Sequence, residues 1–122
     1  MGKRVLVIDD EKVMLKLVKA ILTRAGYEVA TTESIEEALE LLRGQNFDLI
    51  TCDLMLPGIS GLDFLQMMQT GAVQPRVPVV VVTAAGYQTE LEQARSLGAV
   101  HVLNKPFTSQ QLVSVVETAL PG

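Results

Sequence analysis

The chain has 122 residues, 48% of them hydrophobic and 20% charged, enough for one core without disulfide or structural-metal support. Ten Lys and Arg against fourteen Asp and Glu give a net charge of -4, so the segment lacks the basic footprint of a nucleic-acid binder. Cys52 stands alone, which excludes an internal disulfide and fits a reducing compartment, with the cytoplasm as the expected location.

Met1 to Arg4 is basic like the start of a signal peptide, but the apolar run after it stops at Ile8, before Asp9, so no secretion signal is expected. Arg4 to Ile8 is the first predicted strand. Met14, Leu17, Val18 and Ile21 recur at helical spacing and predict a first helix, ended by Gly26 as a left-handed cap. Glu28 to Thr31 is the second strand. Ser34 with Glu37 forms a capping-box pattern before Ala38, Leu39, Leu41 and Leu42, and Gly44 stops that helix.

Leu49 to Cys52 is the third strand, followed by a helix from Leu62 to Gln69 in which Met67 and Met68 read as core residues. The turn-rich stretch Gly71 to Pro78 leads into the fourth strand, Val79 to Val82. The longest apolar stretch, Val77 to Ala85, contains Pro78 and is too short to span a bilayer, so no membrane anchor is expected. A fourth helix runs from Tyr87 to Ser96 and a fifth strand from Val100 to Leu103. Thr108 with Gln111 repeats the capping box before Leu112, Val115 and Val116.

Five strands alternating with five amphipathic helices predict an α/β fold of consecutive βα units around a parallel sheet. Val79 to Val82 is apolar at successive positions, as a strand covered on both faces requires. No linker or second-domain boundary interrupts the pattern, so residues 1–122 are read as one domain.

Chemistry gathers at the strand ends. Asp9 and Asp10 close the first strand, Asp53 the third, Thr83 the fourth, and Lys105 follows the fifth. In open parallel sheets, sites form outside the carboxyl ends of strands, where the strand order reverses. Three carboxylates together are costly unless a cation or proton is shared among them. All-oxygen donors favour a hard divalent cation, with Mg²⁺ the natural choice. Zn²⁺ is disfavoured because neither His101 nor Cys52 has a second soft donor at ligand spacing. His101 reads as structural or surface, and Cys52 as a buried thiol. With Asp53 as nucleophile, Thr83 and Lys105 offer the hydroxyl and ammonium that hold phosphoryl oxygens. There is no P-loop and no Gly-x-Ser-x-Gly elbow.

Taken together, Asp9-Asp10, Asp53, Thr83 and Lys105-Pro106-Phe107, with Pro57 and Gly61 after Asp53, resemble the receiver domain of bacterial two-component response regulators over Lys3 to about Leu120. The resemblance implies a flavodoxin-like (βα)5 sandwich with strand order 2-1-3-4-5. It further implies that Asp53 accepts phosphate from a phosphohistidine on a sensor histidine kinase or phosphotransfer protein. Asp10, Asp53 and the Met55 backbone carbonyl would bind Mg²⁺ directly, and Asp9 largely through water. Thr83 and Lys105 would contact the phosphoryl group, and the Lys105–Pro106 peptide would be cis. Only self-phosphotransfer and slow hydrolysis are implied, so the chain is read as a signalling phosphoacceptor and not an enzyme in the usual sense.

One position departs from the family pattern. Val102 stands where an aromatic normally swings inward on activation, which puts that relay in question. Tyr87 is a candidate substitute, weighed against an ordinary exposed aromatic. Met55 and Ala85 fall at positions that modulate phosphate lifetime. Two other readings compete: a receiver-like protein-binding module with a degenerate acidic cluster, and a phosphatase of the haloacid dehalogenase type, whose second Asp is replaced here by Met55. The downstream partner is unknown, either an attached effector domain or a separate protein.

Overall fold

The computed structural model describes residues 2–74, 76–84 and 88–120, so Ala85 and Tyr87 lie outside the described residues. In chain order the elements are β1 (Arg4–Ile8), α1 (Lys12–Arg24), β2 (Glu28–Thr32), α2 (Ile35–Gly44), β3 (Leu49–Cys52), α3 (Gly61–Gln69), β4 (Val79–Ala84), α4 (Gln88–Ser96), β5 (His101–Lys105) and α5 (Ser109–Ala119). The five strands form one parallel sheet in the order β2-β1-β3-β4-β5.

The continuous apolar runs are explained by two cores, one on each face of the sheet. Leu6, Ile8, Val79 and Val81 pack with residues of α2, α3 and α4, including Ala38, Phe64 and Ala94. The alternate residues Val5, Val7, Val80 and Val82 pack with Leu15 and Leu22 of α1 and Leu112 and Val116 of α5. Because neighbours in a strand point to opposite faces, a strand between two helical layers must be apolar at every position.

Several predicted boundaries move. β4 extends through Ala84, which places Thr83 inside the strand, and β5 begins at His101 and reaches Lys105. The cause is pairing: the β4–β5 register continues through Thr83↔Asn104 and Ala84↔Lys105. Leu17 is 45% exposed, against the expectation from its spacing. The buried stripe of α1 is instead Leu15, Val18 and Leu22, flanked by half-buried Met14 and Ile21.

Local signals account for the helix ends. Gly26 has φ +100°, the left-handed conformation that closes α1. Ser34 accepts from the Glu37 N–H, but the Glu37 carboxylate takes the N–H of Glu33, so that capping box is offset by a residue. Gly44 is the last residue of α2 and not its stop. Thr108 and Gln111 form the full reciprocal box, as do Ser60 and Asp63 at α3, which the sequence reading passed over. Met68 is buried and Met67 packs against the core. Among the described residues no helix is long and apolar enough to cross a membrane.

Candidate phosphoryl and cation site

The strand order reverses between β1 and β3, which pair side by side at the centre of the sheet. Their register matches Ile8 with Cys52, so the next residues, Asp9 and Asp53, emerge next to each other. Backbone bonds continue past the strands: the Asp53 N–H donates to Ile8 O at 3.1 Å, and the Asp9 N–H to Thr32 O at 3.1 Å. Pairing therefore places two buried carboxylates together at the switch point, where ligands of such sheets bind.

Both oxygens of Asp53 are engaged. Its Oδ1 accepts the Thr83 hydroxyl at 2.8 Å and the Met55 N–H at 2.9 Å. Its Oδ2 accepts the Lys105 ammonium at 2.9 Å. The same ammonium lies 2.7 Å from Asp9 Oδ2 and 3.3 Å from Glu11 Oε1. Asp9 Oδ1 accepts the Glu11 N–H at 2.9 Å. Asp9, Asp53 and Thr83 are each at most 5% exposed, whereas Asp10 is open to solvent.

Electrostatics follow from this geometry. Burial raises the Asp9 pKa above its usual 3.8, and the Lys105 hydrogen bond and Glu11 N–H only partly offset that. For Lys105, burial alone would lower the pKa. Hydrogen bonds to and charges on Asp9 and Asp53 outweigh it, holding the ammonium above the ordinary lysine value. Cys52 is fully buried, and burial, with the negative charges of Asp53 and Asp9, pushes its thiol up, so it stays neutral. Its S–H donates to the Asp53 carbonyl at 3.3 Å. That arrangement makes Cys52 a core residue and not a soft metal ligand.

Oxygens of Asp9, Asp10 and Asp53 lie within 4.8 Å of one another. A cluster of hard oxygen donors, one facing solvent, fits a divalent cation such as Mg²⁺ that keeps several waters. The Lys105–Pro106 peptide is cis. Met55 is 51% exposed and its N–H, not a side-chain carboxylate, faces the acceptor. Val102 is half-buried against the core beneath α2, α3 and α4, and His101 lies at the opposite end of β5 from Lys105. Glu11, the third carboxylate on Lys105, was not singled out from the sequence. The acidic run Asp9-Asp10-Glu11 was the only available signal.

Gly61 keeps the loop after Asp53 close. A Cβ there would run into Asp53 O and stand 2.7 Å from Leu54 Cα. The Gly61 N–H instead donates to Leu54 O at 3.2 Å, tying the start of α3 to the loop that follows Asp53.

Comparison with known proteins shows the family and the fold. Residues 5–117 fit the family model of the response regulator receiver domain. The chemotaxis protein CheY of Thermotoga maritima is 33% identical over 117 residues, covering 95% of this chain and 96% of that protein. The phosphate regulon transcriptional regulatory protein PhoB of Pseudomonas aeruginosa is 30% identical over 119 residues, covering 98% of this chain, which spans about half (52%) of PhoB. Among solved structures, chemotaxis response regulator CheY4 of Vibrio cholerae superposes with a TM-score of 0.89 at 27% identity, covering 98% of this chain and 100% of CheY4. The chain belongs to the response regulator receiver domain family of two-component systems.

Proposed function

We propose that residues 1–122 act as one receiver domain in which Asp53 is the phosphoacceptor, taking phosphate from a phosphohistidine of a sensor histidine kinase or phosphotransfer protein. One observation carries this reading: the Asp53 carboxylate is met at once by a hydroxyl, an ammonium and a backbone N–H, beside two further carboxylates. In the transfer, an Asp53 oxygen forms a bond to phosphorus as the bond from phosphorus to the imidazole nitrogen breaks. Thr83 and Lys105 turn their donors to the phosphoryl oxygens, whose charge must be neutralised as the group moves. Lys105 already stands 2.9 Å from Asp53, so little rearrangement is required of it.

Asp10, Asp53 and the Met55 carbonyl would hold Mg²⁺ directly, with Asp9 largely through water. The ion supplies positive charge that offsets the clustered acids and the incoming phosphoryl group. Thr83, drawn from β4, couples the acceptor to the face made by α4, β5 and α5, which is the protein-interaction surface to be switched. Self-phosphotransfer from small donors and slow hydrolysis are the only chemical steps required. Sustained phosphatase turnover has no support at Met55, where an acid or base would be needed. The test is phosphorus NMR of the protein with phosphoramidate and Mg²⁺. An acyl-phosphate resonance is expected from the native protein and none from Asp53→Asn; an equal signal from the variant removes Asp53 from the mechanism.

A further inference from the structure

We propose that Glu11 is a positioning residue for Lys105, a third seat for its ammonium that is given up to a phosphoryl oxygen when that group arrives on Asp53. This rests on the phosphoacceptor reading above and adds a residue to it. A lysine ammonium has three hydrogens to donate. Three carboxylates take them: Asp9 at 2.7 Å, Asp53 at 2.9 Å and Glu11 at 3.3 Å. Lys105 can therefore hold a phosphoryl oxygen only when one of the three lets go. They are not equivalent. Asp9 and Asp53 are buried, so cutting either from the ammonium strands a charge in the interior. The Glu11 side chain is 64% exposed and makes the longest contact, so water takes over its carboxylate at small cost.

The backbone of Glu11 is fixed on both sides. Its N–H donates to Asp9 Oδ1 at 2.9 Å, and its carbonyl accepts the Leu15 N–H at 3.0 Å. The side chain thus leaves Lys105 by turning about its own bonds, with α1 undisturbed. Local helix chemistry supports a role outside the helix. Glu11 is the N-cap of α1, a place where Ser, Thr, Asp or Asn usually bonds a free N–H of the first turn. Ser34, Ser60 and Thr108 do so at α2, α3 and α5, whereas the Glu11 side chain makes no such bond. Its carboxylate reaches Lys105, 94 positions away, instead. A residue that forgoes its local role for a distant contact is expected at a functional site. Glu11 and the phosphoryl group then compete for one N–H of Lys105, and loss of Glu11 favours the phosphoryl group.

The experiment titrates the ¹⁵N-labelled protein with the phosphoryl analogue beryllofluoride in Mg²⁺, comparing the native protein with Glu11→Ala and Glu11→Asp. Aspartate keeps the charge, but it is one methylene shorter, which takes its oxygens out of reach of Lys105, and it can cap α1. Both variants are expected to bind the analogue about threefold more tightly than the native protein, the scale of one exposed ion pair. Native affinity in Glu11→Asp assigns any gain in Glu11→Ala to charge at a distance and overturns the proposal, as does unchanged or weaker binding in Glu11→Ala. Exchange of the Lys105 ammonium hydrogens with water, followed by NMR on the same samples, is a readout that a purely structural role would not move. Without the analogue it should be faster in both variants than in the native protein, and with the analogue it should be the same in all three. Equal exchange without the analogue overturns the proposal too. Glu11→Ala removes no cap bond and should melt near the native temperature, so a loss of folding does not confound the comparison. A native protein that neither binds beryllofluoride nor is labelled by acetyl phosphate would sink the phosphoacceptor reading instead, so the two failures are separable.

Discussion

Thr83 on β4 donates its hydroxyl to Oδ1 of Asp53 at 2.8 Å, joining the end of β3 to the neighbouring strand while both residues are buried. The bond satisfies a buried hydroxyl that has few alternatives, so its loss has a structural as well as a functional cost. Thr83→Val keeps the shape and sets a methyl against the carboxylate. It is expected to destabilise the fold by about 1–3 kcal/mol in urea denaturation and to slow labelling by a small phosphodonor, whereas Thr83→Ser restores both.

Divalent cation should stabilise the fold by mass action. If Asp9, Asp10 and Asp53 form the site, Mg²⁺ at a hundred times its dissociation constant adds about 2.7 kcal/mol, seen as a rise in melting temperature that a chelator reverses. Asp10→Asn is expected to remove most of that rise while leaving the metal-free melt near native, because Asp10 is exposed. An unchanged Mg²⁺ response in the variant excludes Asp10 as a ligand.

The Lys105 ammonium is the one cation bridging Asp9 and Asp53 among the described residues. Lys105→Met leaves those carboxylates uncompensated and should cost about 3–5 kcal/mol in metal-free buffer, with partial recovery on adding Mg²⁺. Chemical denaturation at neutral pH with and without chelator reads both effects.

The pH dependence has a definite sign. Burial raises the Asp9 pKa in the folded protein above 3.8, so between 3.8 and that raised value the folded state holds more protons than the unfolded chain. Its contribution to stability is then fully present below pH 3.8 and is lost as pH rises through the folded pKa. In chelator, Asp9→Asn should exceed the native protein in stability at neutral pH, and the difference should shrink as pH falls toward 3.8. A gap that widens on acidification contradicts the assignment.

Gly61→Ala places a methyl against Asp53 O and Leu54, a backbone clash that a small rotation cannot relieve. A loss of about 1–3 kcal/mol is expected, with slower phosphate uptake as the loop after Asp53 shifts. Gly44→Ala, which meets nothing within 4 Å, is the matched control and should be neutral or stabilising.

The sheet and the acidic cluster were legible because each strand is a short apolar run and the carboxylates interrupt the runs at their ends. Strand order was not. Periodicity shows that β1 and β3 are strands but not that Ile8 pairs with Cys52, so adjacency of Asp9 and Asp53 came from family resemblance. The face of α1 was misassigned at Leu17 because Leu15, Val18 and Leu22 recur at helical spacing as well as the predicted set, and packing on the sheet chooses between them. The Glu11–Lys105 contact joins residues 94 positions apart, and no local pattern reports it. The limits of β5 depended on pairing with β4, which likewise lies outside the reach of a local window.

The most direct measurement is intact-mass spectrometry followed by peptide mapping after incubation with acetyl phosphate and Mg²⁺. A single hydroxylamine-labile phosphoryl adduct on the peptide containing Asp53, absent when chelator replaces Mg²⁺, is the predicted result. An unmodified protein under these conditions, or an adduct mapped to another residue, contradicts the account.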